Sequence, residues 1–215
     1  ERMDIQGIKS HYLSVKSDVG KEFFGPCLRK CISYDRVSAY FSSSVLMSWS
    51  DGLYRLVDGE PPRVRLLVAV LTNDTDKEAL AEVYSPDMRT SIVQKYSDRI
   101  LEEIAMILES DTQEHSYRAA RVFAWLVATE RLRLRFAWPA TGNGALMHEK
   151  FGVFTFESTK VAFIGSANET LSGHHTNYES IDVYREWAPG ESERVETKRE
   201  QFEESWSGNA EGLIS

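Results

Sequence analysis

The sequence predicts an α/β fold in which a mixed β-sheet is flanked by helices, with a helical insertion around residues 73–130. Residues 63–71 form an apolar run rich in Val and Leu, which is typical of a buried strand. Inside the insertion, apolar residues between 92 and 108 recur at spacings of three and four, as on one face of a helix. Residues 131–138 alternate arginine with apolar residues, which indicates another strand.

The N-terminal segment predicts a helix, a strand and a second helix in that order. Apolar side chains recur at helical spacing over 20–32, and they alternate over 35–41 as in a strand. The serines at 42–44 are N-cap residues for a helix near 44–57, and the prolines at 61 and 62 end that helix.

The C-terminal segment predicts three strands and a final helix. Strands near 150–156 and 160–165 are joined by a short polar turn, which is the pattern of a hairpin. A further strand near 179–185 precedes a charged helix near 191–206. Together with the earlier segments, this order is that of an α/β domain with helices packed on a sheet.

Composition restricts the function. The 215 residues carry a formal net charge of −8, which argues against a protein that coats nucleic acid through a broad basic surface. A nuclease with a few local phosphate contacts remains compatible with that charge. No apolar run approaches the roughly 18 residues of a membrane span, so we expect no membrane contact and a cytoplasmic protein.

The two cysteines, Cys27 and Cys31, lie four residues apart on one face of the first predicted helix. A zinc site would need two more ligands nearby, and the sequence offers none. We therefore expect both to be reduced core residues, as in a reducing compartment.

The residues that carry chemistry lie between 147 and 184. His148 and Lys150 are two apart at the start of a predicted strand, so both side chains can point to one face and converge on a phosphate. Ser166 and Asn168 follow the next strand and offer a hydroxyl and an amide, and Glu179 opens the third. This inventory suits phosphoryl transfer, where positioning and charge neutralisation dominate. No carboxylate cluster that would hold magnesium accompanies it, so we expect no metal ion and no cofactor.

This set resembles the phospholipase D superfamily, in particular its single-motif nucleases and the related N-terminal domains of bacterial helicases in anti-phage and restriction systems. The spacing from Asn168 to Glu179 is similar to that of the nuclease branch, and the segment 40–42 is similar to the opening of those domains. The motif consists of His148-x-Lys150, Gly165-Ser166-x-Asn168 and Glu179.

The resemblance implies a role for each residue. His148 would attack phosphorus and form a phosphohistidine. Lys150 and Asn168 would hold the non-bridging oxygens, and Ser166 would bind the phosphate or position its neighbours. Glu179 would accept a hydrogen bond from the far imidazole nitrogen and so set the tautomer.

Two features of the motif indicate which members of the superfamily the chain resembles. The lipase form of the motif has an acidic residue five positions after the lysine, where this sequence has Thr155, and this weakens a phospholipid assignment. The chain has one His-x-Lys, because no lysine follows two residues after the remaining histidines, His11, His115, His174 and His175. A mechanism with two histidines then needs a second chain, so we expect a symmetric homodimer with a composite active site.

Two other groups of polar residues each allow a functional and a structural interpretation. His174 and His175 fit a solvated loop better than a metal site, because no Cys or Asp cluster completes a ligand set. Arg131, Arg133 and Arg135 fit either a DNA backbone contact or an exposed sheet face paired with acids.

The leading hypothesis is a metal-independent DNA endonuclease in a bacterial anti-phage or restriction system, with RNA as an open alternative substrate. We expect residues 1–215 to form a single phospholipase D-like nuclease domain, the N-terminal part of a longer protein with a C-terminal helicase domain. The alternatives are a phospholipid phosphodiesterase and a non-catalytic dimerisation or DNA-docking module of a helicase.

Overall fold

A mixed β-sheet forms the centre of the fold. The structure is a computed structural model that describes residues 5–58, 60–109, 115–141, 147–167 and 178–215. Its strands are β1 (His11–Leu13), β2 (Ser33–Phe41), β3 (Arg63–Leu71), β4 (Leu132–Phe136), β5 (Trp138–Pro139), β6 (Phe151–Thr155), β7 (Lys160–Gly165), β8 (Ser180–Arg185) and β9 (Leu213–Ile214).

Seven of the described strands form the main sheet, in the order β1-β8-β7-β6-β2-β3-β4. β2, β3 and β4 run parallel, with Val37 opposite Leu67 and Leu66 opposite Leu134. β6 pairs with β2 in the antiparallel sense, and β7, β8 and β1 continue antiparallel from there. β5 and β9 form a separate two-stranded ribbon. Two of the six strand pairs in this sheet are therefore parallel and four are antiparallel, and the change of direction falls between β2 and β6.

Helices account for the remaining regular structure and confirm the helical block predicted around residues 73–130. The side chain of Asn73 accepts a hydrogen bond from the backbone of Asp76 and so caps the first helix of the block. The α-helices of the described residues are α1 (Gly25–Lys30), α2 (Asp74–Tyr84), α3 (Pro86–Tyr96), α4 (Ile100–Glu109), α5 (His115–Ala128) and α6 (Ser192–Ser207). Gly20–Phe24 forms a π-helix directly before α1, Ser43–Leu56 forms a long 3-10 helix, and Ile5–Gly7 and Ser97–Arg99 form short ones.

Three local structures differ from the expectation. The segment near 44–57 is helical and is capped by Ser42 as expected, but its hydrogen bonding is of the 3-10 type. His148 and Lys150 precede β6 instead of lying inside it, because the strand begins at Phe151. β1 was not expected, since its three residues are too short to show a pattern.

One face of the sheet carries an aromatic cluster beneath α1, the 3-10 helix and the helical block. Tyr34 of β2 stacks on Phe154 of β6 with ring centroids 4.2 Å apart, and Phe163 of β7 meets Phe23 edge-on at 5.3 Å. Cys27 and Cys31 are buried free thiols in this core, as expected. Burial raises the pKa of the Cys31 thiol to about 12, so it stays protonated and unreactive at neutral pH.

The opposite face of the sheet is covered by α6. Val195 and Phe202 of this helix are fully buried, and the ring of Trp206 stacks beside Phe202. Adjacent residues of β3 point to opposite faces of the sheet. Leu66 packs on the face with the aromatic cluster, and Leu67 packs on the face covered by α6. No helix of the described residues is long and apolar enough to cross a membrane.

A buried ion network joins α6 to the sheet. Arg65 donates two hydrogen bonds to the Asp35 carboxylate, at 2.6 and 2.8 Å, and two more to Glu203 of α6. Asp35 and Arg65 are only 4% and 6% exposed, whereas the side chain of Glu203 is 44% exposed. Hydrogen bonds from Arg65 hold the pKa of Glu203 below its usual value, so this carboxylate stays charged into the acid range.

Asp35→Asn is expected to lower the free energy of unfolding by about 3 kcal/mol, because it removes one partner of a buried ion pair and leaves Arg65 undercompensated. Glu203→Gln is the matched control and should cost less than about 1 kcal/mol, because the Glu203 carboxylate is half-exposed and Arg65 keeps Asp35 as its charged partner. Equilibrium urea unfolding at neutral pH measures both changes. Equal losses for the two variants would contradict this account of the network.

Candidate active site

The chemistry-bearing residues lie where three strand ends meet. In the pairing of β6 with β7, Phe151 lies opposite Ile164. The pairing extends one residue beyond the start of β6, because the Gly165 N–H donates to the Lys150 carbonyl at 3.2 Å. The Ser166 N–H donates to the Ser180 carbonyl at 3.1 Å, which joins the end of β7 to the start of β8. The start of β6, the end of β7 and the start of β8 are therefore neighbours at one edge of the sheet.

His148 and Lys150 precede β6 at this edge. The His148 side chain is exposed, while Lys150 is half-buried and donates from Nζ to the His148 carbonyl at 2.8 Å. This bond holds the ammonium beside the backbone of the histidine. The structure thus has an accessible imidazole next to a positioned cation, and the predicted catalytic roles of both residues stay predictions.

The pKa of Lys150 is shifted by its surroundings. Burial lowers the pKa of Lys150 most, the positive charge of Arg36 lowers it further, and the carboxylate of Glu179 acts in the opposite direction. Because both neighbours influence the ammonium electrostatically, Arg36 on β2 and Glu179 before β8 belong to the same local field as Lys150.

Gly165 and Ser166 close the junction between β7 and β8. A Cβ atom on Gly165 would lie 2.1 Å from the Ser180 carbonyl oxygen, so a side chain at this position would force the two backbones apart. The Ser166 hydroxyl accepts a hydrogen bond from the Ser180 N–H at 3.2 Å. In this structure Ser166 therefore joins the ends of the two strands, and its expected roles at the phosphate stay predictions.

Glu179 is anchored through its backbone. Its N–H donates to the Ser14 hydroxyl at 2.9 Å, and its carbonyl accepts from the Ser14 N–H at 3.0 Å. Ser14 directly follows β1, so the end of the N-terminal strand holds the backbone of the acidic residue of the site. The hydrogen bond from His148 to Glu179 stays a prediction.

Several expected residues fall outside the described part of the chain. Asn168 lies there, as do His174 and His175, so their predicted roles stay untested. Two residues that sequence reasoning missed are described, namely Arg36 and Ser14. Arg36 carried a signal, because it is a charged residue within the predicted strand 35–41, but only the paired neighbours of that strand reveal that both faces are buried.

The three arginines near β4 are largely engaged within the fold. Arg131 donates to the Leu56 carbonyl at 2.9 Å, and Arg135 lies over the Trp206 ring at 4.7 Å and donates to its carbonyl. Arg133 is more exposed and lies 3.8 Å from Glu130. These contacts favour the interpretation of an exposed sheet face paired with its neighbours over a dedicated DNA contact. In the described ranges, no three His, Cys, Asp or Glu side chains come together as a metal-binding group.

The sheet order, the flanking helices and the meeting strand ends define a phospholipase D-like fold, as the sequence resemblance implied. A family model described as "Cardiolipin synthase, PLD-like domain" matches residues 68–206, which is well over half of the chain. The chain therefore belongs to this phospholipase D-like family.

A solved structure supports the fold independently. The chain is similar to NucT from Helicobacter pylori, with a TM-score of 0.52 and 9% sequence identity. The match covers 96% of this chain and 97% of NucT, so the two share their architecture over nearly their whole lengths. No curated protein sequence matches the chain.

Gly165→Ala is expected to lower the free energy of unfolding by about 1–3 kcal/mol, because the added methyl group meets a backbone oxygen that cannot rotate away. Gly7→Ala is the matched control, since a Cβ there meets nothing within 4 Å. Its stability should stay within about 1 kcal/mol of the wild type. Urea unfolding of both variants tests the close approach, and an unchanged midpoint for Gly165→Ala would refute it.

Proposed function

We propose that this chain is a metal-independent DNA endonuclease of the phospholipase D type. The observation that carries the proposal is the exposed imidazole of His148 beside the half-buried ammonium of Lys150, at the edge where three strand ends meet. Membership of the phospholipase D-like family supports phosphodiester chemistry, and the shared fold with NucT, a nuclease of that superfamily, supports a nucleic acid as the substrate.

The reaction that we propose has two displacement steps. In the first, an imidazole nitrogen of His148 attacks phosphorus, the bond from phosphorus to the leaving strand's oxygen breaks, and that oxygen takes a proton from His148 of the partner subunit. In the second, water attacks the phosphohistidine and the P–N bond breaks. The proton of the water returns to the partner's His148, so the catalyst is regenerated.

The other residues of the site assist these steps without forming covalent bonds. Lys150 and Asn168 neutralise the non-bridging oxygens, whose charge must be stabilised as phosphorus becomes five-coordinate. Glu179 holds the imidazole in the tautomer that leaves the attacking nitrogen unprotonated. Ser166 keeps the junction of β7 and β8 closed, so that these groups stay aligned.

The biological setting that we propose follows the sequence resemblance. Residues 1–215 act as one nuclease domain at the N-terminus of a longer helicase in a cytoplasmic bacterial anti-phage or restriction system. The net charge of −8 supports a role for that partner, because the chain offers little general attraction for DNA. The local positive charge of Lys150 and Arg36 would then act on a strand that the helicase delivers.

Two alternatives remain as competing hypotheses. A phospholipid phosphodiesterase is favoured by one observation, the description of the matching family model, and it is opposed by Thr155. Hydrolysis of phosphatidylglycerol or cardiolipin vesicles in place of DNA would favour it. A non-catalytic docking module would bind DNA equally well with and without His148 at each salt concentration.

His148→Ala is expected to abolish cleavage of plasmid DNA in excess EDTA, because the attacking nitrogen is lost. His11→Ala is the matched control, since His11 on the edge strand β1 is also an exposed histidine, but its ring pairs with Asp182 of β8 at 2.7 Å. It should cut at the wild-type rate. Agarose gels of supercoiled plasmid measure nicking and linearisation, and circular dichroism confirms that both variants fold.

Full activity of His148→Ala would sink the histidine mechanism, and cleavage only after addition of a divalent cation would contradict its metal independence. A phosphorylated His148 peptide, recovered after rapid alkaline quenching and mass spectrometry, is the expected signature of the intermediate. It should be missing from the His148→Ala protein.

A mixing experiment tests the composite site. If each active site needs His148 from two subunits, diluting wild-type protein with His148→Ala at constant total concentration should reduce activity as the square of the wild-type fraction. Independent subunits would instead give a linear decline. Light scattering on the same samples reports the dimer, and subunits should be mixed in mild denaturant and refolded so that they exchange.

A further inference from the structure

Arg36 is a fully buried charge at the centre of the sheet. Its side chain is 1% exposed and extends from β2 toward the aromatic face, where the guanidinium lies 4.9 Å from the centre of the Phe163 ring. Burying a guanidinium is costly unless hydrogen bonds and opposite charges compensate it. A role beyond packing is therefore expected, because an apolar side chain would fill this space at a lower free energy.

The guanidinium contacts the turn that carries the site. Its NH2 group donates to the Ala167 carbonyl at 2.6 Å. Ala167 stands between Ser166 and Asn168, so this bond holds the backbone immediately before the predicted phosphate ligand. The link spans β2 and the end of β7, which are not neighbouring strands, since β6 lies between them.

Arg36 also acts on Lys150 through its charge. The charge of Arg36 on β2 lowers the pKa of Lys150 and the carboxylate of Glu179 before β8 raises it, while His148 and Glu149 are the titratable neighbours on its own segment. The Arg36 guanidinium is therefore a positive charge that solvent hardly reaches, at the backbone that joins the end of β7 to the predicted phosphate ligands.

We propose that Arg36 is a positioning residue of this active site, which holds the backbone at Ser166 and Ala167 in place and adds a buried positive charge that acts on Lys150. The inference rests on the proposed function, because a phosphoryl-transfer site needs these groups aligned around one anion. Arg36 is too buried to touch the substrate, so it acts through the turn and through Lys150. A fixed charge of this kind needs no reorganisation when the phosphate arrives.

Two substitutions separate the two parts of this role. Arg36→Gln removes the charge but keeps an amide donor for the Ala167 carbonyl, and Arg36→Lys keeps a positive charge but loses the forked donor. Arg65→Lys is the matched control, because Arg65 is another buried arginine of the sheet that binds Asp35 and Glu203 instead of the site. Thermal unfolding by circular dichroism reports the structural cost of each change.

The first readout is the titration of Lys150, followed by NMR of the protein with labelled lysine and assigned with Lys150→Arg. In the wild type the pKa of Lys150 should lie below that of an ordinary lysine. Arg36→Gln should raise this pKa, because the repulsive charge is gone, while Arg65→Lys should leave it unchanged. A Lys150 titration that is the same in Arg36→Gln and in the wild type would overturn the field part of the proposal.

The second readout is function. Arg36→Gln should weaken binding of inorganic phosphate by roughly tenfold, and it should lower kcat for DNA by on the order of 10–100-fold with a smaller change in KM. Arg36→Lys should recover part of kcat. A loss of thermal stability alone, with phosphate binding and kcat as in the wild type, would show that Arg36 is only structural.

The readouts also separate this inference from the cleavage proposal. If the wild type fails to cut DNA while Lys150 titration and phosphate binding still respond to Arg36, the assignment of Arg36 stands and the endonuclease proposal fails. If Arg36→Gln does not fold, Arg36→Lys decides the case, since wild-type phosphate affinity in that variant would overturn the need for the forked donor.

Discussion

The antiparallel ladder between β2 and β6 is the constraint on which the site depends. β2 runs parallel to β3 on one side, and on the other side it meets β6, with Arg36 opposite Gly152. Because β6 runs in the opposite direction, its first residues lie at the same edge as the last residues of β2. The hairpin to β7 and the next pairing to β8 then return the chain to that edge twice, so His148, Ser166 and Glu179 become neighbours.

Two adjacent charged residues of β2 show how one buried strand serves both stability and the site. Asp35 and Arg36 point to opposite faces of the sheet, as successive strand residues must. Asp35 binds Arg65 beneath α6 and so joins that helix to the sheet. Arg36 binds the Ala167 carbonyl on the aromatic face and reaches the turn of the site. A slip of one residue in the pairing of β2 would exchange these faces and leave both charges without their partners.

Local patterns predicted much of the fold, because they depend on short-range physics. The apolar run 63–71 is β3, the spacing of apolar residues across 92–108 is found in α3 and α4, and the polar turn after β6 closes a hairpin. Patterns failed where the outcome depends on partners distant in sequence. By sequence, Arg131 and Arg135 were equally compatible with DNA contacts. In the folded chain they donate hydrogen bonds to the carbonyls of Leu56 and Trp206 instead.

The sequence by itself predicted the family, the order of most strands and helices, and the candidate residues His148, Lys150, Ser166 and Glu179, because these are properties of residue type and short spacing. Only the tertiary structure decided which groups surround them. The hold of Ser14 on Glu179, the approach of Gly165 to Ser180 and the burial of Arg36 beside Lys150 each join segments far apart in the chain. Such contacts form only when the strands pair. The free energy of pairing depends on residues that are far apart in the sequence, so no local pattern predicts these contacts.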